Sequence, residues 1–179
     1  MSTLLALSGS LRAVSSNTSL LQAAALLAPP GLRIEFYEGI GSLPHFNPDL
    51  EAALPQTVVE WRNRIGEVDG LLISCPEYAR GIPGSFKNAL DWLVASDTLP
   101  GMPVALFNAS PRASEAQAAL RLVLETVSTV IVEDASLCVP LLAKGLDAQA
   151  IAATPDYAAE ISRALLAYQR VLERHAVGE

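Results

Sequence analysis

The 179-residue chain lacks the features that mark many protein classes. No apolar run approaches the ~20 residues needed to cross a bilayer. No basic cluster precedes the short apolar stretch near its beginning, so no secretory leader is expected. There are two cysteines, Cys75 and Cys138, and two histidines, His45 and His175, none at metal-ligand spacing. With neither span nor leader expected, the chain is an expected cytoplasmic protein, and the cysteines read as buried thiols. Basic residues are outnumbered 12 to 19, giving a net charge of −7 and no expectation of a nucleic-acid face. There is no GxxxxGK[ST] loop and no GxSxG elbow, and Gly39-Ile40-Gly41 lacks the third glycine of a dinucleotide fingerprint. Ser8-Gly9-Ser10 stands where a receiver domain needs an acidic cluster.

What is present is a strict alternation of short apolar runs and amphipathic stretches. Hydrophobic residues make up 51% of the chain, and its length suits one core, so a single domain over residues 1–179 is expected. A first strand at 4–7 leads to a helix over 18–28, stopped by Pro29-Pro30-Gly31. Residues 32–37 alternate as an edge or half-buried strand does. Residues 38–54 form a long Gly- and Pro-containing connection. Its apolar residues predict that it packs down and offers a subunit contact, with His45 a packing residue rather than a base. A helix with Val58, Trp61 and Ile65 precedes 70–75, a continuous apolar run expected to be buried on both faces. There follow a helix carrying Phe86, Leu90 and Trp92, a strand at 103–107, and a helix over 115–127. The fifth strand falls at either 130–132 or 135–139. The last helix is expected over 156–175, with Thr154 as cap and Pro155 in its first position.

Such alternation predicts an α/β fold: a parallel sheet with helices on both faces, joined by right-handed crossovers. With strand order 2-1-3-4-5, the polar loops beginning near Ser8, Pro76 and Asn108 meet beyond the carboxyl ends of adjacent strands, where these sheets hold ligands. The first loop runs into a helix N-terminus, whose free N–H groups and dipole favour an anion. It carries Ser8, Ser10, Arg12, Ser15 and Ser16, and suits either an ordinary N-cap or a phosphate site. The ionisable groups of the three loops are Arg12, Glu77, Tyr78, Arg80 and Arg112. A site rich in donors and poor in proton-transfer groups fits a cofactor that brings its own chemistry.

Two gapped motifs sharpen this reading: Gly9-Ser10-Leu11-Arg12-x-x-Ser15-x-Asn17, and Pro76-Glu77-Tyr78-x-x-x-x-Pro83-Gly84-x-x-Lys87-Asn88-x-x-Asp91-Trp92. Together they resemble the NADPH-dependent FMN reductase family, which includes quinone, chromate and azo-dye reductases. The resemblance implies a flavodoxin-like three-layer sandwich around a five-stranded parallel sheet. It implies non-covalent FMN, with NADPH or NADH as co-substrate and hydride transfer through FMN to a quinone, flavin or similar small oxidant. It further implies a homodimer or homotetramer, no metal, and no catalytic side chain. Carried over, Ser10, Arg12, Ser15 and Asn17 hold the phosphate. Pro76, Glu77 and Tyr78, followed by Ala79 and Arg80, lie along the isoalloxazine ring, and Ser110 and Arg112 belong to the third loop. Lys87, Asn88, Asp91 and Trp92 read as structural, with Asn88 or Asp91 tying a loop to the helix. Two positions depart from the family pattern. Ala79 stands where many members have Asn, and Arg112-Ala113 where glycines are common, which limits how closely that backbone approaches a ring. Arg80 and Arg112 are candidates for the 2′-phosphate of NADPH. The alternative is a non-catalytic flavin-binding protein or a flavodoxin-type electron carrier.

Overall fold

A computed structural model describes residues 1–177. Its elements are β1 (Ser2–Ser8), α1 (Ser16–Leu26), β2 (Leu32–Phe36), α2 (Gln56–Gly66), β3 (Gly70–Ser74), α3 (Gly84–Asp91), β4 (Pro103–Asn108), α4 (Ser114–Thr126), β5 (Val130–Ile131), β6 (Leu137–Cys138), α5 (Ala148–Ala153) and α6 (Pro155–Val177). All strand pairs are parallel, in the order β2-β1-β3-β4-β5, with β6 also on β4. This is the flavodoxin-like order.

The two-residue period of a strand divides the central apolar runs between two cores. Leu4, Ala6, Leu72, Ala105 and Phe107 face one side, with Leu20 and Leu21 of α1 and Ile161, Leu165 and Tyr168 of α6. Leu5, Leu7, Leu71, Ile73, Val104 and Leu106 face the other, against Trp61 of α2, Phe86 of α3 and Leu120 of α4. A continuous run is therefore required in β1, β3 and β4, because every residue is buried on one face or the other. β2 is an edge strand; Leu32 and Ile34 turn inward and Arg33 outward as the alternation predicts, but Phe36 is exposed, so the alternation fails at the strand's end. Tyr168 fastens α6 beneath the sheet. Its hydroxyl lies 2.8 Å from the Leu71 carbonyl and 2.6 Å from that of Pro103, and burial pushes the phenol well above its usual pKa. Gly70 makes room for it: a Cβ there would stand 2.6 Å from the Tyr168 hydroxyl.

Several expectations change. The fifth strand occupies both of the registers considered, in two pieces. β5 pairs with Pro103 and Val104, a 3-10 turn at Glu133–Ala135 interrupts it, and β6 pairs with Phe107 and Asn108. In the gap the Ser136 hydroxyl accepts from the Leu106 N–H (3.0 Å) and donates to the Val132 carbonyl (3.0 Å), replacing the missing ladder bonds. The short helix α5 was not expected; the Asp147 carboxylate caps it, accepting from Ala150 N–H at 2.8 Å. Thr154 does not cap α6 with its side chain. Its hydroxyl donates back to the Ala150 carbonyl (2.8 Å), while Pro155 does take the first position of α6. Cys75 is buried as expected, but Cys138 is exposed on the sheet edge.

The connection over 38–54 is packed down, as its apolar residues predict. Ile40 and Leu43 are buried, and the Phe46 ring meets Trp92 edge-on at 5.0 Å. Asn88 ties it to α3 twice: its side-chain oxygen accepts from Phe46 N–H (2.7 Å), and its amide donates to the Pro44 carbonyl (2.9 Å). Trp92 donates to that carbonyl as well, at 2.8 Å. His45 is exposed, so the packing role falls to Phe46 instead.

Candidate cofactor site

The three loops converge at the carboxyl ends of β1, β3 and β4 on a cleft of about 310 Å³. The first loop and the start of α1 contribute Ser10, Arg12, Ser15, Ser16 and Asn17; the second contributes Cys75, Pro76, Glu77 and Tyr78. The third contributes Asn108, Ala109, Ser110, Arg112 and Ala113, with Leu142 from the segment after β6. Of the eleven residues expected from the sequence, nine line this cleft; Ala79 and Arg80 lie outside its walls, at the tip of the second loop.

Close approach of the first two loops depends on Gly9. Its N–H donates to the Ser74 carbonyl at 2.8 Å, and a Cβ there would lie 2.9 Å from Cys75 Sγ and 3.2 Å from Pro76 Cδ. Beneath the cleft, Ser8 and Thr18 share a hydroxyl–hydroxyl bond at 2.8 Å, and Ser74 donates to the Asn17 side-chain oxygen at 2.9 Å. Asn17 thus joins α1 to β3 and still presents its NH₂ group. Burial pushes the Cys75 thiol up to about 12, which keeps it protonated at neutral pH.

Three of the serine hydroxyls on the walls share one arrangement. Ser10 accepts from Arg12 N–H (3.3 Å), Ser15 from Thr18 N–H (3.5 Å), and Ser110 from Arg112 N–H (3.3 Å). Each uses its oxygen as an acceptor and, among the described residues, donates its proton to nothing, so each can donate to a ligand. Ser15 is therefore both the N-cap of α1 and a potential anion donor.

The two helix termini at the cleft differ in electrostatics. The first turn of α1 has no acidic residue, and Arg12 has no carboxylate partner among the described residues. The first turn of α4 holds Glu115, and the Glu77 carboxylate accepts from the Ala116 N–H at 3.0 Å. Its positive end already faces anions, so only α1 offers an unbalanced positive terminus to a phosphate. The second loop closes on itself: Tyr78 and Gly81 exchange backbone bonds of 3.1 and 3.0 Å. Ala79 (φ 49°) and Arg80 (φ 62°) between them are both left-handed, as in a two-residue hairpin turn.

A model of the NADPH-dependent FMN reductase family matches residues 2–143, which span β1 through the segment after β6. The chain belongs to that family. FerB of Paracoccus denitrificans, described as a flavoenzyme NAD(P)H:(acceptor) oxidoreductase, superposes with a TM-score of 0.82 at 30% identity, over 98% of this chain and 99% of that one. A 2-hydroxy-1,4-benzoquinone reductase from Burkholderia sp is 44% identical over 84 residues, 47% of this chain and 45% of that protein. An NAD(P)H-dependent FMN reductase from Pseudomonas aeruginosa is 40% identical over 109 residues, 59% of this chain and 58% of that one. The chain thus spans about half the length of these two relatives.

The cleft suits the FMN of this family. It offers the anion-ready helix terminus, the Ser10 and Ser15 hydroxyls and the Arg12 guanidinium from the first loop, and walls from the second and third loops, the third carrying the Ser110 hydroxyl. Ser16 lines the cleft from within the first loop, and Leu142 from outside all three loops. Leu142 follows β6 with no local pattern to single it out; Ser16 lies beside the N-cap.

Proposed function

We propose that this protein is an FMN-dependent NAD(P)H oxidoreductase that passes hydride equivalents to a quinone or a similar small oxidant. The observation that carries the reading is the α1 terminus, capped by Ser15, free of acidic residues in its first turn and facing the cleft beside Arg12. Ser10, Arg12, Ser15 and Asn17 would hold the phosphate. Pro76 and Tyr78 would flank the ring on one side, and Ser110 on the other. FMN would supply the redox chemistry; the chain's residues bind and orient it and exclude water. The reductase names borne by relatives favour this reading over a flavodoxin-type carrier.

Arg112 lines the cleft with no carboxylate partner among the described residues, which suits recognition of the 2′-phosphate of NADPH. Arg80, exposed on the strained turn, remains a second candidate for that role. Residues 1–179 form one domain in this reading, and α5 and α6, beyond the family match, pack into the core beside β1 and β4. No helix among the described residues is long and apolar enough to cross a membrane, and a cytoplasmic location is part of the proposal. So is a homodimer or homotetramer. Leu11, Val14, Tyr78 and Leu142 expose apolar surface on the loops around the cleft, which a second copy would cover.

An absorption spectrum tests the reading. The purified protein, supplied with FMN, should show flavin bands that bleach on NADPH under nitrogen and return on adding a quinone. A protein that stays colourless and leaves FMN fluorescence unchanged would overturn it. Light scattering at micromolar concentration tests the assembly; a monomer with and without FMN would remove that part.

A further inference from the structure

We infer that Glu77 is a positioning residue: it supplies from the second loop the N-cap that α4 lacks, and so holds the third-loop wall of the cleft in place. Ala113, at the cap position of α4, has φ −85° and ψ 47° and a side chain that can accept nothing. Helix starts leave their first N–H groups without intrahelical partners. Here Ala116, in the first turn, is fully buried, so water does not replace the missing cap. The Glu77 carboxylate meets that need, accepting from the Ala116 N–H at 3.0 Å across 39 positions of sequence. A second bond runs the other way, from the Gln117 side-chain amide to the Cys75 carbonyl at 3.5 Å. Loop two and the first turn of α4 are therefore laced together immediately behind Ser110, Arg112 and Ala113.

Val139 N–H to the Asn108 carbonyl (2.8 Å) and Leu141 N–H to the Ala109 carbonyl (3.0 Å) hold the start of the third loop to the segment after β6, on the side away from the second loop's bond to α4. The third loop's internal bonds are short-range: Asn108 accepts from Ser110 N–H (2.9 Å), Ser110 Oγ from Arg112 N–H (3.3 Å), and the Ser110 carbonyl from Ala113 N–H (3.1 Å). These shape the turn but do not set its distance from the second loop. Glu77 does, because it sits on one wall and bonds the helix that carries the other. Its role is thus to space the walls; one carboxylate oxygen is committed to α4 rather than to a ligand. For the cofactor this rests on the flavin reading above, but the capping role itself does not.

The test compares Glu77→Ala with Glu77→Gln in the full-length protein, by amide hydrogen exchange without ligand and by FMN titration. Glu77→Gln keeps an acceptor oxygen in the same place and discards the charge. Loss of a cap lowers the stability of a helix start by a factor of roughly 2–30. Glu77→Ala should therefore speed exchange at the Ala116 amide about tenfold while amides of β1 and β3 stay protected, and Glu77→Gln should preserve most of that protection. FMN affinity should follow the same order, falling about tenfold in Glu77→Ala and within threefold of the parent in Glu77→Gln. Unchanged Ala116 protection in Glu77→Ala would overturn the capping role, whether or not FMN binds. Equal loss of FMN affinity in both variants, with Ala116 still protected in Glu77→Gln, would show that the charge meets the ligand and overturn the spacing role. Should the parent protein bind no FMN, the exchange result still decides the capping role, and only the flavin reading fails.

Discussion

The first and third loops of the cleft are built on the same plan, a buried strand running through a polar turn into a helix, yet they are finished differently. The first is locally complete. Ser15 caps α1 from within its own loop, Gly9 permits close packing, and no acid neutralises the helix terminus. The third borrows. Ala113 cannot cap, and an anion from the second loop sits on α4. Two helix starts that look alike by position thus differ in available charge, and only one is free to meet a phosphate.

The sharpest way to break this comparison is Arg12→Ala. It removes the guanidinium beside the free terminus and should weaken FMN binding by about 1.5–3 kcal/mol, measured by fluorescence titration, with little change in thermal stability. Ser110→Ala, on the third loop, should change FMN affinity by less than about 1 kcal/mol, the scale of one neutral hydrogen bond. Equal losses from the two would erase the asymmetry. Next in size is Gly9→Ala. The new Cβ would stand 2.9 Å from Cys75 Sγ, and the overpacking should lower unfolding stability by about 1–3 kcal/mol in denaturant titrations. Ser15→Ala removes cap and donor together, and should lower the stability of α1 by about 1 kcal/mol while weakening FMN. A stability loss with unchanged affinity would leave Ser15 a cap alone. The smallest effect concerns the second loop. Ala79 holds φ 49°, a conformation that disfavours residues with a Cβ. Ala79→Gly should raise stability by up to about 1 kcal/mol, seen as a higher midpoint in urea. A fall would mean that the left-handed turn is not strained.

Much of this was legible from the chain because the controlling interactions are local. The strand runs, the helix stop at Pro29-Pro30-Gly31 and the first-loop motif all act within a few residues of themselves. Nine of the eleven expected site residues reach the cleft because strand order brings their loops to adjacent strand ends. Asn88 and Trp92 were recognisable as structural, but their partners, the Pro44 carbonyl and Phe46, lie more than forty residues away. The split fifth strand was readable only as two rival registers, since nothing local shows that Ser136 replaces the ladder between them. Thr154 followed by proline has the form of a helix cap, yet its hydroxyl turns back to α5, a six-residue helix too short to show a period of its own.

By itself the sequence determined the alternation of strand and helix, the two-sided burial of β1, β3 and β4, and the polar loops that follow them. Period and propensity act over a handful of residues and carry that information directly. Glu115 in the first turn of α4 is a local feature, but tertiary structure alone brought a second carboxylate, Glu77, to that terminus. Glu77 reaches α4 only once β3 and β4 lie side by side, and a carboxylate's effect on a dipole depends on ångström distances that spacing along a chain does not encode.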